Sequence, residues 1–459
     1  MKKVLFLGFL FPAVVFAQSN DDSIFIKRIS DDILQNGKAY DLLRQLTKTI
    51  GGRLAGSPEF NKAVVWGKAT FDKMGADKVY LQPCMVPHWV RNGKGDKVAV
   101  TTVNNKPQII PLDAYALGNS LGTPTEKGIT AELFAVNDFD QLEKYKDKVK
   151  GKIVFYNYHF NPTNISTFLS YSDAGKYRWT GASRAAKYGA VGMIVRSMSI
   201  ATDNNPHTGS MDYNDSFPKI PAAAIGLQDA DKLWKLAQMS KTVKLNITTH
   251  GQMLPDAPAN NVIAELKGSE HPEEIITVGG HLDSWDVNEG AHDDGTGVVH
   301  TMEVLRVFKA LGYTPKHTIR FVLFADEEKS GRGAEKYAAE AKLKGEKHIF
   351  GFESDAGGFT PRGFSFHVAP ETWWKLNAWK PLFEPYGGSA FVAGGGGADT
   401  EPLEAAFKTP VAELNPDSQR YFDIHHARSD VFENVNRREL LLGAVNIAAL
   451  IYMVDKYGL

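Results

Sequence analysis

Seven side chains in the second half of the chain are of the types that hold metal ions and move protons, and they fall in five short clusters. His281 and Asp283 lie in GGHLDSWD (residues 279–286), Asp293 in GAHDDGTG (290–297), Glu327 and Glu328 in FADEEKSG (324–331), Asp355 in FESDAGG (352–358) and His426 in DIHHARSD (423–430). Imidazole nitrogen and carboxylate oxygen are the donors of a catalytic zinc site, which keeps one position open for water or substrate. Two such ions about 3.5 to 4 Å apart share a carboxylate and clamp a water between them. On this chemistry Asp293 is the bridge, His281 and Asp355 serve one ion, and Glu328 and His426 serve the other, so two zinc ions per chain are expected. Glu327, beside a ligand but directed differently, is the expected general base, taking a proton from the attacking water and passing it to the leaving amine. Asp283, two residues after His281, would share its face of an extended strand, accept the imidazole N–H and fix its tautomer. Residue chemistry does not separate Asp293 from Asp294, Glu327 from Glu328 or His425 from His426.

Residues so far apart meet only if the elements before them converge. Three of the clusters directly follow short apolar runs, at residues 275–278, 319–324 and 349–352, and each run reads as a strand that ends at its cluster. Between the first two, Val298, Met302, Leu305, Phe308 and Leu311 recur at helical spacing, with Gly295 and Gly297 at the entrance and Gly312 at the exit. Strand, helix, strand predicts a parallel βαβ unit, and open α/β sheets bind ligands in the crevice beyond the carboxyl ends of their strands. Taken singly, each residue has an ordinary explanation: a cap, a turn, or a helix first turn favoured by the dipole. A solvated surface does not explain why three separate clusters each end an apolar strand.

The rest of the chain sets the context. At 459 residues and 43% hydrophobic content, two or three domains with real cores are expected. A net charge of -1, from 52 basic and 53 acidic residues, supplies no field for nucleic acid or an acidic membrane, and neither is an expected partner. Residues 1–17 (MKKVLFLGFLFPAVVFA) have a basic start, an apolar middle and an end at Ala17 that suits a signal peptidase. The apolar run is short of the roughly 20 residues of a spanning helix, so a secreted or periplasmic product without stable membrane insertion is expected. Cys84 is the single cysteine, which excludes an internal disulfide. The sequons at Asn164, Asn214 and Asn246 are permissive tripeptides and carry little weight. Residues 21–75 read as mostly helical apart from the turn-forming GGRLAGSP (51–58), and 97–103 as a strand. From about 120 to 250, short strands near 150–156, 190–195 and 217–225 alternate with helices near 182 and 229–237 without any ligand cluster, as in an inserted or accessory domain. The run Gly394 to Gly397 is a loop.

Together GGHLDSWDV, GAHDDGTG, the strand ending in DEE, ESDAG and the HH before Asp430 resemble the binuclear zinc exopeptidases of the aminopeptidase type, and within them the carboxypeptidase Q group. The likeness extends to GGRLAGSP, VPHW, LGNSLGTP, GITAE, GKIVFYN, HTG and PKIPAA, and so covers nearly all of the chain after the leader. The resemblance implies an α/β zinc-exopeptidase fold, with a mixed, mostly parallel sheet flanked by helices. It places the catalytic domain at 18–119 and 251–459 and a smaller protease-associated-like domain at 120–250. It selects Asp293 as bridge, Glu327 as base, Glu328 and His426 as ligands, and it implies short peptides with free termini as substrates, a carboxypeptidase, dipeptidase or aminopeptidase activity, and a homodimer. Two residues depart from the pattern: His292, where an apolar or neutral residue is usual, and Asp326, where a small neutral one is. Asp326 would either raise the pKa of Glu327 or face solvent. A noncatalytic binding protein on the same scaffold would have lost a ligand or the base, and a one-metal acyltransferase would not need all five ligands.

Overall fold

The computed structural model describes residues 20–459, so the leader expected at 1–17 lies outside the described residues. Two mixed sheets of eight strands each organise the chain. In the first, the strands run in the order Lys78–Val90, Gln252–Leu266, His317–Phe324, His271–His281, Lys347–Glu353, Val411–Pro416, Pro361–His367 and Ala390–Ala393. The four in the middle, His317–Phe324, His271–His281, Lys347–Glu353 and Val411–Pro416, pair in parallel. Helix Thr296–Ala310 connects the first two along the chain, as the spacing of Val298, Met302 and Leu305 predicts.

Period-two alternation distributes these strands between two apolar layers. Val262, Ala264, Phe321 and Leu323 point into a large core shared with helices Asn20–Asn36, Pro58–Met74, Thr296–Ala310 and Arg437–Tyr457. Their neighbours Ile263, Val322 and Phe324 meet Ala334 and Tyr337 of helix Arg332–Lys344 on the opposite face. Central parallel strands covered on both faces are apolar on both, which is why residues 319–324 form an unbroken apolar run except for Arg320. Arg320 is accommodated by the carboxylates of Glu265 and Glu346. Helix Arg437–Tyr457 is long and apolar enough to cross a membrane, but 83% of its apolar window is buried inside the protein, as in a core helix.

The second sheet is formed by the chain between strands Lys78–Val90 and Gln252–Leu266, which are neighbours in the first sheet. Its order is Lys106–Leu112, Lys97–Val103, Val243–Thr248, Ile129–Val136, Ile153–Tyr156, Gly192–Arg196, Ala222–Ile225 and Ala114–Ala116. Strands Lys97–Val103, Lys106–Leu112 and Ala114–Ala116, which precede the start expected at residue 120, belong to this sheet. The cause is pairing across sequence, since Lys97–Val103 hydrogen-bonds to Val243–Thr248 and Val98, Val100 and Leu112 pack with Leu245 and Ile247.

Candidate metal centre

The four central parallel strands all point their carboxyl ends at one place. His281 is the last residue of its strand, Glu327 and Glu328 follow Phe324 in a turn, and Asp355 stands two residues beyond Glu353. Strand Val411–Pro416 leads through helix Tyr421–Ile424 to His426, which adopts a left-handed φ of 60°. Asp293 lies in the turn at the entrance to helix Thr296–Ala310.

The donor atoms converge. His281 Nε2 is 3.3 Å from Asp293 Oδ1 and 3.4 Å from Asp355 Oδ1. His426 Nε2 is 3.2 Å from Asp293 Oδ2 and 3.2 Å from Glu328 Oε2. Donors about 2.0–2.1 Å from one tetrahedral zinc ion stand about 3.3 Å from each other, which is the separation of each imidazole nitrogen from its carboxylate neighbours, with one oxygen of Asp293 turned to either side; among the described residues the trios whose donor atoms all lie within 4.8 Å of one another are His281, Asp293, Asp355 and Asp293, His425, His426. His281 Nε2, Glu328 Oε1 and Asp355 Oδ1 are buried and make no hydrogen bond. Buried polar atoms without partners are uncommon and call for a ligand.

Second partners prepare the imidazoles. His281 Nδ1 lies 3.0 Å from the main-chain carbonyl of Asp283, and His426 Nδ1 lies 3.3 Å from that of Thr208. A carbonyl only accepts, so both Nδ1 atoms carry the proton and both Nε2 atoms present a lone pair to the site. The Asp283 carboxylate was expected to take the His281 N–H, but it stands 3.7 Å from that nitrogen. Its Oδ1 instead accepts the main-chain N–H groups of Asp326 at 2.8 Å and Glu327 at 3.2 Å, holding the turn that carries the base.

The doublets separate in space. Asp294 turns away from the donors and accepts N–H groups from His281 and Gly297, capping the helix that follows. His425 stacks on His426 with ring centres 3.6 Å apart, and its Nε2 is 3.6 Å from Asp293 Oδ2, but only His426 also meets Glu328. Glu327 Oε2 is 3.9 Å from His281 Nε2, on the His281 and Asp355 side, and 22% of its side chain remains exposed.

Electrostatics follow from crowding. Burial drives Glu327 well above the ordinary carboxyl range and the Asp355 and Glu328 charges add to this, outweighing His281. Burial pushes Glu328 up to about 7 in the same way, with Asp293 adding to it. Burial works against a charged His426, but Glu328 and Asp293 outweigh it and hold the imidazole up at about 10.

Several contributors were given no role by the sequence patterns, although Asp430, Arg53 and Thr208 lie in motifs noted there. Asp430 accepts the N–H groups of His292 and Asp293 at 2.7 and 3.1 Å and so fixes the bridging turn. Arg53, buried in GGRLAGSP, binds the carbonyls of Leu282, Glu289 and Gly290. From the second-sheet domain come Thr208 and Arg178, whose Nη1 is 3.4 Å from His426 Nδ1. The two departures are absorbed locally. His292 stacks on Phe359 and accepts the Gly358 N–H. Asp326 neither faces solvent nor leans on Glu327: it is fully buried, bonded to Ser330 and 3.3 Å from Lys329 Nζ.

The chain matches Peptidase family M28 over residues 261–451. It is 35% identical to carboxypeptidase Q of Homo sapiens over 420 residues, 92% of this chain and 84% of that protein. A solved peptidase M28 precursor from Shewanella amazonensis superposes with a TM-score of 0.89 at 32% identity, covering 95% of this chain and 97% of that one. BSAP, a zinc aminopeptidase from Bacillus subtilis, shares the fold with a TM-score of 0.65 at 20% identity, covering 90% and 94% of the two chains. The chain belongs to peptidase family M28 and is a metallopeptidase.

Proposed function

We propose that this chain is an exported dizinc exopeptidase of the carboxypeptidase Q kind, hydrolysing dipeptides or short peptides with free termini. The observation that carries the reading is the convergence of carboxylates on two imidazoles, Asp293 and Asp355 on His281 and Asp293 and Glu328 on His426, with unpartnered buried donor atoms at His281, Glu328 and Asp355. His281, Asp293 and Asp355 would hold one ion, and Asp293, Glu328 and His426 the other. Bound zinc supplies Lewis acidity toward the scissile carbonyl and lowers the pKa of a water. The chain's own residues supply the rest. Glu327 accepts the proton of the attacking water at its carboxylate and returns it to the leaving amine. Asp283 holds the main chain of Glu327 so that the carboxylate stays within reach of that water. The Thr208 carbonyl supports His426 from behind, which gives the second-sheet domain, protease-associated-like in this reading, a part in shaping the site. A homodimer is part of the reading and is checked by sedimentation.

An aminopeptidase on the same scaffold is the second reading, favoured by acidic groups buried beside Glu327. Metal content measured with cleavage of a dipeptide panel, free or blocked at either end and with or without chelator, tests both. Glu327→Gln should keep two zinc ions and lose on the order of 10²–10⁴-fold in turnover. Unchanged turnover would remove Glu327 from the role of base, and a protein that takes up no metal would sink the dizinc reading.

A further inference from the structure

The two imidazoles of the metal centre have like donors in front of them and unlike charges behind. His281 Nε2 faces Asp293 and Asp355, and His426 Nε2 faces Asp293 and Glu328. Behind the ring of His281, Nδ1 meets the Asp283 carbonyl at 3.0 Å, with the fully buried Asp283 carboxylate 3.7 Å away. Behind the ring of His426, Nδ1 meets the Thr208 carbonyl at 3.3 Å, with Nη1 of Arg178 3.4 Å away. An anion therefore backs one candidate ligand and a guanidinium backs the other.

The second-sheet domain puts Arg178 in that place. It stands near the end of helix Thr167–Trp179 and is 2% exposed. Its Nε donates to the Ser210 carbonyl at 3.1 Å and its Nη2 to the Tyr171 hydroxyl at 2.8 Å, and among the described residues it forms no ion pair with a carboxylate. Toward His426 it has no acceptor. With the Nδ1 proton given to Thr208, two donors face each other. The other tautomer would accept from Arg178 but would turn an N–H at Nε2 toward the donors and block a metal. Gly209, where φ is +132°, permits the close approach, because a Cβ there would stand 2.5 Å from Arg178 Nη1 and 2.7 Å from His426 Nδ1. A buried guanidinium without an anion is costly to keep. Here it is kept at the back of an imidazole.

We propose that Arg178, acting through His426, makes the two metal positions unequal: the ion at His426 and Glu328 is bound more weakly and is the stronger Lewis acid of the pair. This rests on the dizinc reading above and adds to it the order in which the positions fill. An acceptor behind a ligating imidazole raises its basicity toward the metal. A fixed cation does the reverse and repels a divalent ion across the ring, more strongly in a water-poor site. Glu327, 3.9 Å from His281 Nε2, adds negative charge to the other position. Were Arg178 only a tie between its helix and the loop of Thr208, removing it would loosen His426 and weaken zinc binding. As a charge, its removal tightens zinc binding.

The test strips the protein of metal and measures stepwise zinc affinities by chelator competition for wild type, Arg178→Met, Arg178→Lys and His426→Ala. Wild type should bind two ions in unequal steps, and His426→Ala should lose the weaker step while keeping the tighter one. Arg178→Met should tighten the weaker step on the order of 10–100-fold and leave the tighter step as it is. Arg178→Lys, which retains the charge, should stay near wild type. A weaker or unchanged second step in Arg178→Met, tightening in Arg178→Lys as well, or a weaker step that survives His426→Ala would overturn the inference. If Arg178→Met does not fold, Arg178→Gln takes its place with the same expected tightening. Wild type that binds fewer than two ions sinks the dizinc reading itself, and the inference falls with it; two ions bound without the Arg178 effect sinks the inference alone.

Discussion

Replacing Asp283 with alanine removes the one acceptor that holds the turn carrying Glu327. The N–H groups of Asp326 and Glu327, at 2.8 and 3.2 Å from Asp283 Oδ1, would be left buried without a partner. Each such loss costs about 1–3 kcal/mol. A water entering the vacated space recovers part of it, so a net loss of about 2–3 kcal/mol is expected. Asp283→Asn keeps an oxygen where both N–H groups converge and forfeits only the charge assistance, for a cost of about 1 kcal/mol. The catalytic effect should follow the same order, because a displacement of about 1 Å at the base costs on the order of 100-fold. Urea unfolding of the zinc-loaded proteins, read with kcat at saturating dipeptide, should rank wild type above Asn and Asn above Ala in both quantities. An alanine variant as stable and active as wild type would refute the positioning role. If asparagine were as slow as alanine while remaining stable, the carboxylate would act through its charge and not through the turn.

His281→Ala should reduce bound zinc from two ions toward one, because Asp355 and one oxygen of Asp293 do not make a site alone; elemental analysis that still finds two would remove His281 from the donor set. Gly118→Ala would place a Cβ 1.9 Å from the ring of Trp285, which stands edge-on to His426 at 5.6 Å. A stability loss of about 1–3 kcal/mol with weaker zinc binding is expected, and an unchanged Tm and zinc affinity would show that the ring moves freely. Away from the site, burial alone would raise Glu346, but His348 and Arg320 outweigh it and bring it down to about 2 from 4.5. A depressed carboxyl contributes stability above its unfolded value that is lost as pH falls through the folded one. The Tm deficit of Glu346→Gln should therefore be full at neutral pH and shrink between about 4.5 and 2; a constant deficit would mean the loss is packing.

The sequence determined the parts that depend on local periodicity and residue type. Apolar runs ending at His281, Glu327 and Asp355, with a 3.6-residue repeat from Val298 to Leu311 between the first two, specified parallel strands and a crossover helix, and with them the edge of the sheet where the clusters meet. Imidazole and carboxylate chemistry named the candidate donors, with the doublets left open. What required the tertiary structure is whatever depends on partners distant in the chain. Residues 97–116 alternate like any edge strands, and only pairing with Val243–Thr248 and packing on Leu245 assign them to the second sheet. Asp293 and Asp294 are equivalent in sequence and differ because the main-chain N–H groups of His281 and Gly297 claim one carboxylate and leave the other to the donors. Asp283 lies where spacing puts it but holds the turn of the base with its carboxylate and the imidazole with its carbonyl, a division set by how three strand ends are packed. Arg178, 248 positions before His426, shows no pattern in sequence; its guanidinium reaches the back of the imidazole because the second-sheet domain packs its helix there and Gly209 leaves the room.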